Sequence, residues 1–204
     1  MLKFRCVDED TVHFNTTRIV KKSAIDGGEL SAAEIEGRRQ LREYLNFFRT
    51  KISVFRNCRI YSIAPQVGMR ESRRICGRNY LTREDFSRCA VFEDGIARVT
   101  YPIDIHSTSG SGTEITRLPK GRWYEIPYGC LLPRDVDNLV MACRGISVSH
   151  AVHSSMRVMP PVCSIGQAAG TAAALALAAG CMPFEIDGKA LKDDLIKQGR
   201  NLVG

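Results

Sequence analysis

Residues 138–180 constrain the fold more than any other segment of this 204-residue chain. Residues 138–143 (NLVMAC) form a continuous apolar run, a pattern typical of a strand buried on both faces of an α/β sheet. A polar loop follows, and Pro160 and Pro161 then suit the first turn of a helix, where a missing amide costs nothing. We expect this helix to continue through GQAAGTAAALALAA and to end at the next glycine. The segment therefore predicts a strand, a loop and a helix of an α/β domain.

A long helix is predicted in the first third of the chain. Ser31 and Glu34 have the spacing of a capping box, in which a serine hydroxyl and a glutamate carboxylate satisfy the free amides at a helix start. Apolar residues recur behind them at helical spacing, so we expect an amphipathic helix over residues 32–50. Residues 58–64 are predicted to form a short strand that Pro65 stops.

Shorter elements are predicted in the remaining segments. A short helix is expected from Thr82 to about Cys89, and residues 91–132 are expected to be mainly extended, with a polar loop at 107–112. A last amphipathic helix is expected over residues 188–198. The predicted fold class is α+β: a mixed, mainly antiparallel β region with one long helix, followed by a strand and a helix that belong to an α/β domain.

The net charge of +7 favours an anionic partner. The basic residues are spread over the whole chain, however, and no Lys/Arg block is interleaved with aromatic residues as a nucleic-acid groove requires. The densest basic group is Arg70, Arg73, Arg74 and Arg78. We therefore expect a small anionic molecule as the partner, and no nucleic acid.

The cysteines and histidines do not predict a metal site. The eight cysteines form no C-x-x-C pair and no zinc-ligand spacing, and His150 and His153 have no carboxylate or thiolate near them in sequence. The N-terminus has no apolar region of a secretory signal, and the longest apolar stretch, residues 171–179, is too short to span a bilayer. These observations predict a soluble, cytoplasmic protein with reduced thiols, no metal and no membrane partner.

Two glycines on the predicted C-terminal helix allow two interpretations. Gly166 and Gly170 are one turn apart and leave one helix face without side chains, so a flat cofactor could lie against it. Small residues at this spacing also serve tight helix packing, in which case Arg144 and Arg157 are ordinary surface charges. The residues alone leave both interpretations open.

The stretch DNLVMACRGISVSHAVHSSMRVMPPVCSIGQAAGTAAALA resembles the C-terminal flavin motif of a family of FAD-dependent oxidoreductases within the glutathione-reductase-like flavoproteins. That motif is a strand ending Gly-Arg-Cys-Ile-Ser, a histidine, a Ser-x-Arg-x-Met-Pro loop and Gly-Gln-Ala-Ala-Gly. The matching positions are His150, Ser155, Arg157, Met159, Pro160 and residues 166–170, whereas residues 142–145 depart slightly from the pattern. Further segments resemble the family in the same order: residues 14–18, 35–40, 68–75, 101–106, 126–128 and 131–133.

The resemblance implies which residues contact the cofactor and the substrate. The implied FAD contacts are Arg144, Gly145, Ile146, Ser147, Ser155, Arg157, Gly166, Gln167 and Ala168. Amides at positions 166–168 would stabilise negative charge at the N1/O2 edge of the flavin, while Arg144 and Ser147 would contact its ribityl or pyrophosphate side. The implied catalytic residues are Arg70, Arg73, Arg74 and His150. Those arginines could hold a substrate carboxylate bidentately, and a solvated surface group is an equal alternative.

The sequence contains no G-x-G-x-x-G turn, which flavoproteins of this class use to bind the ADP half of FAD. The nearest match, Gly110-Ser111-Gly112, lacks the third glycine. We therefore expect residues 1–133 to be a substrate-facing cap and residues 134–204 to be the C-terminal strand and helix of an incomplete FAD-binding α/β domain.

An incomplete site has consequences for binding and activity. We expect this chain alone to bind FAD weakly and to be inactive, with a complementary N-terminal chain or a second copy as partner. Residues 138–143 and the helix at 166–174 should then expose an apolar patch. The alternative is a cofactor-free, non-catalytic fragment, or a partner subunit that completes the flavin site of another chain.

Overall fold

The structure, a computed structural model, describes residues 4–106 and 112–202. It divides into two compact units, Met1–Ser72 (unit 1) and Arg73–Gly204 (unit 2). The predicted boundary between residues 133 and 134 separates a substrate-facing part from a cofactor-facing part, and this functional division stays a prediction. Most of the predicted polar loop at 107–112, including Gly110 and Ser111, lies outside the described residues.

Unit 1 contains a hairpin and one long helix. Strand β1 (Phe4–Cys6) pairs antiparallel with β2 (Val12–Phe14), and helix α1 spans Gly27–Lys51. A single 3₁₀ turn follows at Ser53–Phe55.

The predicted long helix is confirmed, but its predicted start is wrong. The Asp26 side chain accepts a hydrogen bond from Glu29 N at 2.8 Å and caps the helix about one turn before the expected capping box. Ser31 Oγ donates instead to the Gly27 carbonyl, and Glu34 accepts from Val67 N. The side chains expected to cap the helix are therefore engaged elsewhere.

The predicted strand at residues 58–64 is also wrong. These residues are irregular, and none of the strands in the described ranges pairs with them. The Cys58 carbonyl accepts a hydrogen bond from Arg49 Nε at 2.9 Å, so a helix side chain uses a group that a neighbouring strand would need. A strand pattern forms a strand only where another strand edge satisfies its backbone.

Packing in unit 1 is sparse. Among its described residues only Ala33 and Phe48 are buried. The Phe48 ring lies 4.4 Å from Phe14 and 5.5 Å from Phe55, measured between centroids. This small aromatic cluster is the main apolar contact between the hairpin, α1 and the turn that follows it.

Unit 2 holds the remaining regular elements. In chain order they are α2 (Arg83–Ser87), β3 (Gly95–Val99), β4 (Ile103–His106), β5 (Thr113–Thr116), β6 (Tyr124–Pro127), α3 (His150–Met156), α4 (Met159–Ala179) and α5 (Gly188–Lys197). Strand β3 pairs antiparallel with β6, and β4 pairs antiparallel with β5. The predicted extended region, the short helix after Thr82 and the last helix are all confirmed. The α+β class is confirmed with them.

The core of unit 2 lies where α4 and α5 meet β3, which pairs with β6, and where α3 meets β4. Buried residues at its centre include Ile96 and Val99 from β3, Ile126 from β6, Ile165 from α4 and Leu191 from α5. Each helix therefore contributes its apolar face, as an amphipathic pattern requires.

A buried carboxylate also joins the parts of this core. Glu125 is 0% exposed, and its side chain lies 3.0 Å from Lys192 Nζ and 3.4 Å from Arg98 Nε. Lys192 Nζ also donates to the Phe92 carbonyl, and Arg98 Nη1 donates to Asn201 Oδ1. The charges of β3, β6 and α5 are thus compensated within the unit, as a buried carboxylate requires.

Two predictions near the C-terminus are wrong. Residues 138–143 do not form a strand; they are irregular and largely exposed, with Leu139 43% exposed. Met141 N donates to the Leu131 carbonyl, but no described strand pairs with these residues. An apolar run without a neighbouring strand remains irregular, because its backbone groups find no partner strand. The expected polar loop at residues 150–157 is mostly helix α3, because the Ser149 side chain caps it.

Helix α4 is longer and more apolar than expected. It has 21 residues, and by length and composition it could cross a membrane, contrary to the estimate from residues 171–179. One side of it, with Ile165, Ala168 and Ala172, is buried in the core of unit 2. Gly180 ends the helix in the left-handed conformation (φ 66°), as the sequence predicted.

Candidate functional site

Two segments of unit 2 contact each other through their backbones, at residues that follow two arginines. Ile75 N donates to the Gly145 carbonyl at 2.9 Å, and Leu81 forms a parallel bridge with Val148. Arg74 and Arg144 each immediately precede the residues of the first hydrogen bond. The two arginines therefore occupy neighbouring positions along the backbone.

Helix α3 begins where this pair of segments ends. The Ser149 side chain accepts from Val152 N at 3.4 Å, and the helix places His150 and His153 three residues apart on one side. Arg157 caps the other end; its backbone N–H donates to the His153 carbonyl, and Nη2 donates to the Asp104 carbonyl at 3.3 Å. The helix thus fixes two imidazoles and one guanidinium on a short, rigid element.

The two histidines of α3 are affected by the same arginines. Burial, followed by the positive charges of Arg157, Arg74, Arg144 and His150, lowers the pKa of His153 from 6.5 to about 4. Burial, followed by Arg74 and Arg157, also lowers the pKa of His150. His153 is therefore predominantly neutral at pH 7, and positive charges act on both imidazoles. We call Arg74, Arg144, His150, His153 and Arg157 the basic cluster.

The structure divides the predicted substrate-facing arginines. Arg74 is half-buried and belongs to the basic cluster, whereas Arg73 is exposed. Arg70 is exposed and belongs to unit 1. The catalytic roles predicted for these three arginines and for His150 stay predictions.

Several predicted cofactor contacts lie inside the core. Ile146 and Ser155 are 0% exposed, and Ser147 is 2% exposed. Ser155 Oγ donates to the Tyr101 carbonyl at 2.6 Å and accepts from the Tyr124 hydroxyl at 2.9 Å. Burial raises the pKa of Tyr124, so its hydroxyl stays a donor in this chain of hydrogen bonds. These buried side chains belong to the core of unit 2. Their direct contact with a cofactor stays a prediction.

The expected use of helix-end amides at positions 166–168 is wrong. These residues lie in the interior of α4, where backbone amides are bonded within the helix. The first turn contains Pro160 and Pro161, which have no N–H to offer a ligand. Ala168 is buried, and Gln167 Nε2 donates to Gln198 Oε1 at 3.0 Å.

The predicted face without side chains on α4 is present. A β-carbon at position 170 would meet no atom within 4 Å, and one at position 166 would meet only the Ala142 carbonyl oxygen, at 4.0 Å. Met159 and Leu177 on the same side of the helix are 81% and 85% exposed. This face is therefore apolar and is open around the two glycines, and at Gly166 it adjoins Ala142 of the exposed segment at residues 138–143.

No group of His, Cys, Asp and Glu in residues 4–106 and 112–202 is arranged to hold a metal ion. The sequence prediction missed helix α3 and the backbone contact of Ile75 with Gly145. Ser149, with apolar residues behind it at helical spacing, was the available signal for the helix. The pairing depends on a contact between segments about 70 residues apart in sequence, which no local pattern reveals.

Comparison with known proteins gives one match. The family model described as FAD dependent oxidoreductase matches residues 3–195, which is nearly the whole chain. No curated protein and no solved structure matches the chain.

Proposed function

Because the chain belongs to the family of FAD-dependent oxidoreductases, we propose that it forms the isoalloxazine side of a flavin site. Bound FAD would supply hydride transfer to or from a small molecule. The substrate-facing groups would come from the basic cluster, and the nucleotide half of the cofactor would be held elsewhere.

The open face of α4 is the observation that carries this proposal. A planar ring can approach a helix backbone closely only where side chains are absent, and Gly166 and Gly170 remove them over one turn. Apolar contact with this face would exclude water from the ring, as cofactor pockets generally do.

The guanidinium groups of the basic cluster have the charge that a reduced flavin requires. Positive groups fixed before the reaction stabilise negative charge that develops on the ring, at no cost in reorganisation. Arg144 and Arg157 are the candidates, since both contribute to the positive environment of His153. The residues present thus fit the isoalloxazine half of FAD.

The nucleotide half has no equivalent support. The sequence contains no G-x-G-x-x-G turn, so we propose that a complementary chain segment or a partner subunit supplies it. Residues 138–143 are apolar and largely exposed, which suits a strand whose neighbour is contributed by that partner. The complete site would then form only on association, with this chain alone inactive.

Flavin titration of the isolated chain tests the proposal. If only the isoalloxazine side is present, FMN and FAD should bind with similar, weak affinity, because the adenosine half of FAD finds no partner. Fluorescence quenching on titration with each flavin measures both affinities. No binding of either flavin contradicts the proposal, and FAD binding much tighter than FMN binding contradicts the missing nucleotide half.

A matched pair of substitutions tests the helix face. Gly170→Leu should weaken flavin binding at least about tenfold, because the new side chain occupies the space where the ring would lie. Ala178→Leu adds a similar side chain at an exposed position two turns further along α4 and should leave binding unchanged. Both variants should remain folded, since neither position is buried. Equal affinities in the two variants would contradict the assignment of this face.

A further inference from the structure

The guanidinium group of Arg98 and the indole ring of Trp123 lie against each other beside the buried carboxylate of Glu125. Arg98 Cζ is 4.3 Å from the centre of the Trp123 ring, and Arg98 Nε is 3.4 Å from Glu125 Oε1. These residues take no part in the flavin site proposed above. We propose that Arg98 and Trp123 form a binding site for a small carboxylate.

Two buried nitrogen atoms of this pair have no acceptor. They are Arg98 Nη2 and Trp123 Nε1, and neither has a hydrogen-bond partner in the part of the chain that the structure describes. The other two nitrogens of Arg98 are engaged, since Nε donates to Glu125 Oε1 and Nη1 donates to Asn201 Oδ1 at 3.1 Å. A buried donor without an acceptor costs free energy, so the two nitrogens favour a ligand that supplies acceptor oxygens.

The charge around Glu125 favours an anion as that ligand. Arg98 and Lys192 both contact this one carboxylate, Lys192 Nζ at 3.0 Å from Oε2, and the two cations more than compensate its charge. The three groups together therefore carry one positive charge in excess. A carboxylate with a single negative charge would balance that excess, whereas a doubly charged phosphate would leave a negative charge uncompensated at the edge of the core.

The burial of the two donors limits the size of the anion. The side chains of Arg98 and Lys192 are each 13% exposed, so the group lies near the surface. Arg98 Nη2 and Trp123 Nε1 are themselves covered, so only a ligand of few atoms reaches them through small side-chain movements. One carboxylate oxygen accepts from the guanidinium and the other from the indole N–H. The ligand is therefore a short acid such as formate or acetate.

NMR titration of the full chain with sodium formate tests the proposal. Trp123 is the only tryptophan, so the single indole N–H signal of the chain belongs to the proposed donor. This signal should move with formate and reach a plateau, while amide signals of α1 in unit 1 stay in place. Sodium chloride at the same concentrations is the control for ionic strength and should move the indole signal much less.

Two substitutions test the donors separately. Trp123→Phe keeps an aromatic ring and removes the indole N–H, and Arg98→Lys keeps the charge and removes Nη2. Each should weaken formate binding at least about tenfold, the scale of a lost hydrogen bond to a charged group. Arg117→Lys makes the second exchange at an exposed position of unit 2 and should bind formate like the unsubstituted chain. The rise in melting temperature with formate measures binding in all four proteins, because a ligand stabilises the folded chain that binds it.

Three results would overturn the proposal. They are an indole signal that does not move with formate, one that moves equally with chloride, and equal formate binding in Trp123→Phe and Arg117→Lys. Far-UV circular dichroism checks that each variant is folded. The NMR titration uses the unsubstituted chain, so it decides the question even where Arg98→Lys does not fold.

Discussion

The two units of this chain obtain their structure in different ways. Unit 1 is dominated by α1, whose exposed surface carries Glu–Arg pairs such as Glu34 with Arg38 and Glu36 with Arg39, and only two of its described residues are buried. Unit 2 has shorter elements, but they surround a continuous buried core with a compensated buried charge at Glu125. Exposed ion pairs contribute little to stability, whereas buried apolar groups contribute most of it. We therefore expect unit 2 to determine the stability of the chain.

The largest expected effect separates the two units by core truncation. Phe86 is 1% exposed, and its ring lies 5.3 Å from that of Tyr124, so Phe86→Ala should lower the free energy of unfolding by about 3–5 kcal/mol. Phe47 of unit 1 is 43% exposed, and Phe47→Ala should cost less than about 1 kcal/mol. Urea denaturation measures both values. Similar losses in the two variants would contradict the expectation that unit 2 determines the stability of the chain.

A smaller effect should appear on acidification. The pKa of His153 is lowered in the folded chain from 6.5 to about 4, so folding favours its neutral form. Its contribution to stability is complete above pH 6.5 and is lost as the pH falls towards 4, by about 3 kcal/mol in all. Urea denaturation between pH 7 and pH 4 should therefore show a shallower pH dependence in His153→Asn than in the unsubstituted chain. An equally steep pH dependence in the two proteins would contradict the contribution assigned to His153.

The smallest effect concerns the start of α1. Asp26→Ala should remove the observed cap and cost about 1 kcal/mol locally. Hydrogen exchange of amides in the first turn of α1 should then become faster, with little change in unit 2. Ser31→Ala, at the position where the sequence predicted the cap, should leave this exchange nearly unchanged. If Ser31→Ala accelerated this exchange more than Asp26→Ala, the result would support the helix start predicted from the sequence.

The same contrast explains what could be predicted from sequence. Three helices with local signals were predicted well. Helix α2 was predicted from Thr82 at its start, and α4 from its prolines and from Gly180 at its end. Helix α5 was predicted from the spacing of its apolar residues. The strands predicted at 58–64 and 138–143 failed because a strand depends on a neighbour that local sequence does not specify. The antiparallel β region of unit 2 succeeded because its strands pair with one another across short sequence distances.

The candidate site was predicted only in part. Motif resemblance named Arg144, His150 and Arg157, and all three lower the pKa of His153, while their roles in a site stay predictions. It did not reveal that Arg74 joins them, since that depends on the pairing of residues 75 and 145. Nor did it reveal that Ser155 is buried, since its hydrogen-bond partners, Tyr101 and Tyr124, are supplied by other parts of unit 2.

The charge network around Glu125 has a consequence for the synthesis of the chain. Lys192 reaches Phe92 across 100 residues of sequence, and Arg98 reaches Asn201 across 103. A ribosome adds roughly 5–20 residues per second. About 5–20 s therefore pass between the synthesis of β3 and the synthesis of Lys192 and Asn201, at that rate. During that interval Glu125 lacks Lys192, and the apolar residues of β3 and β6 lack the cover of α5. A nascent chain of this kind should depend on chaperones until its last helix emerges, whereas α1, which rests on local contacts, can form as soon as it leaves the ribosome.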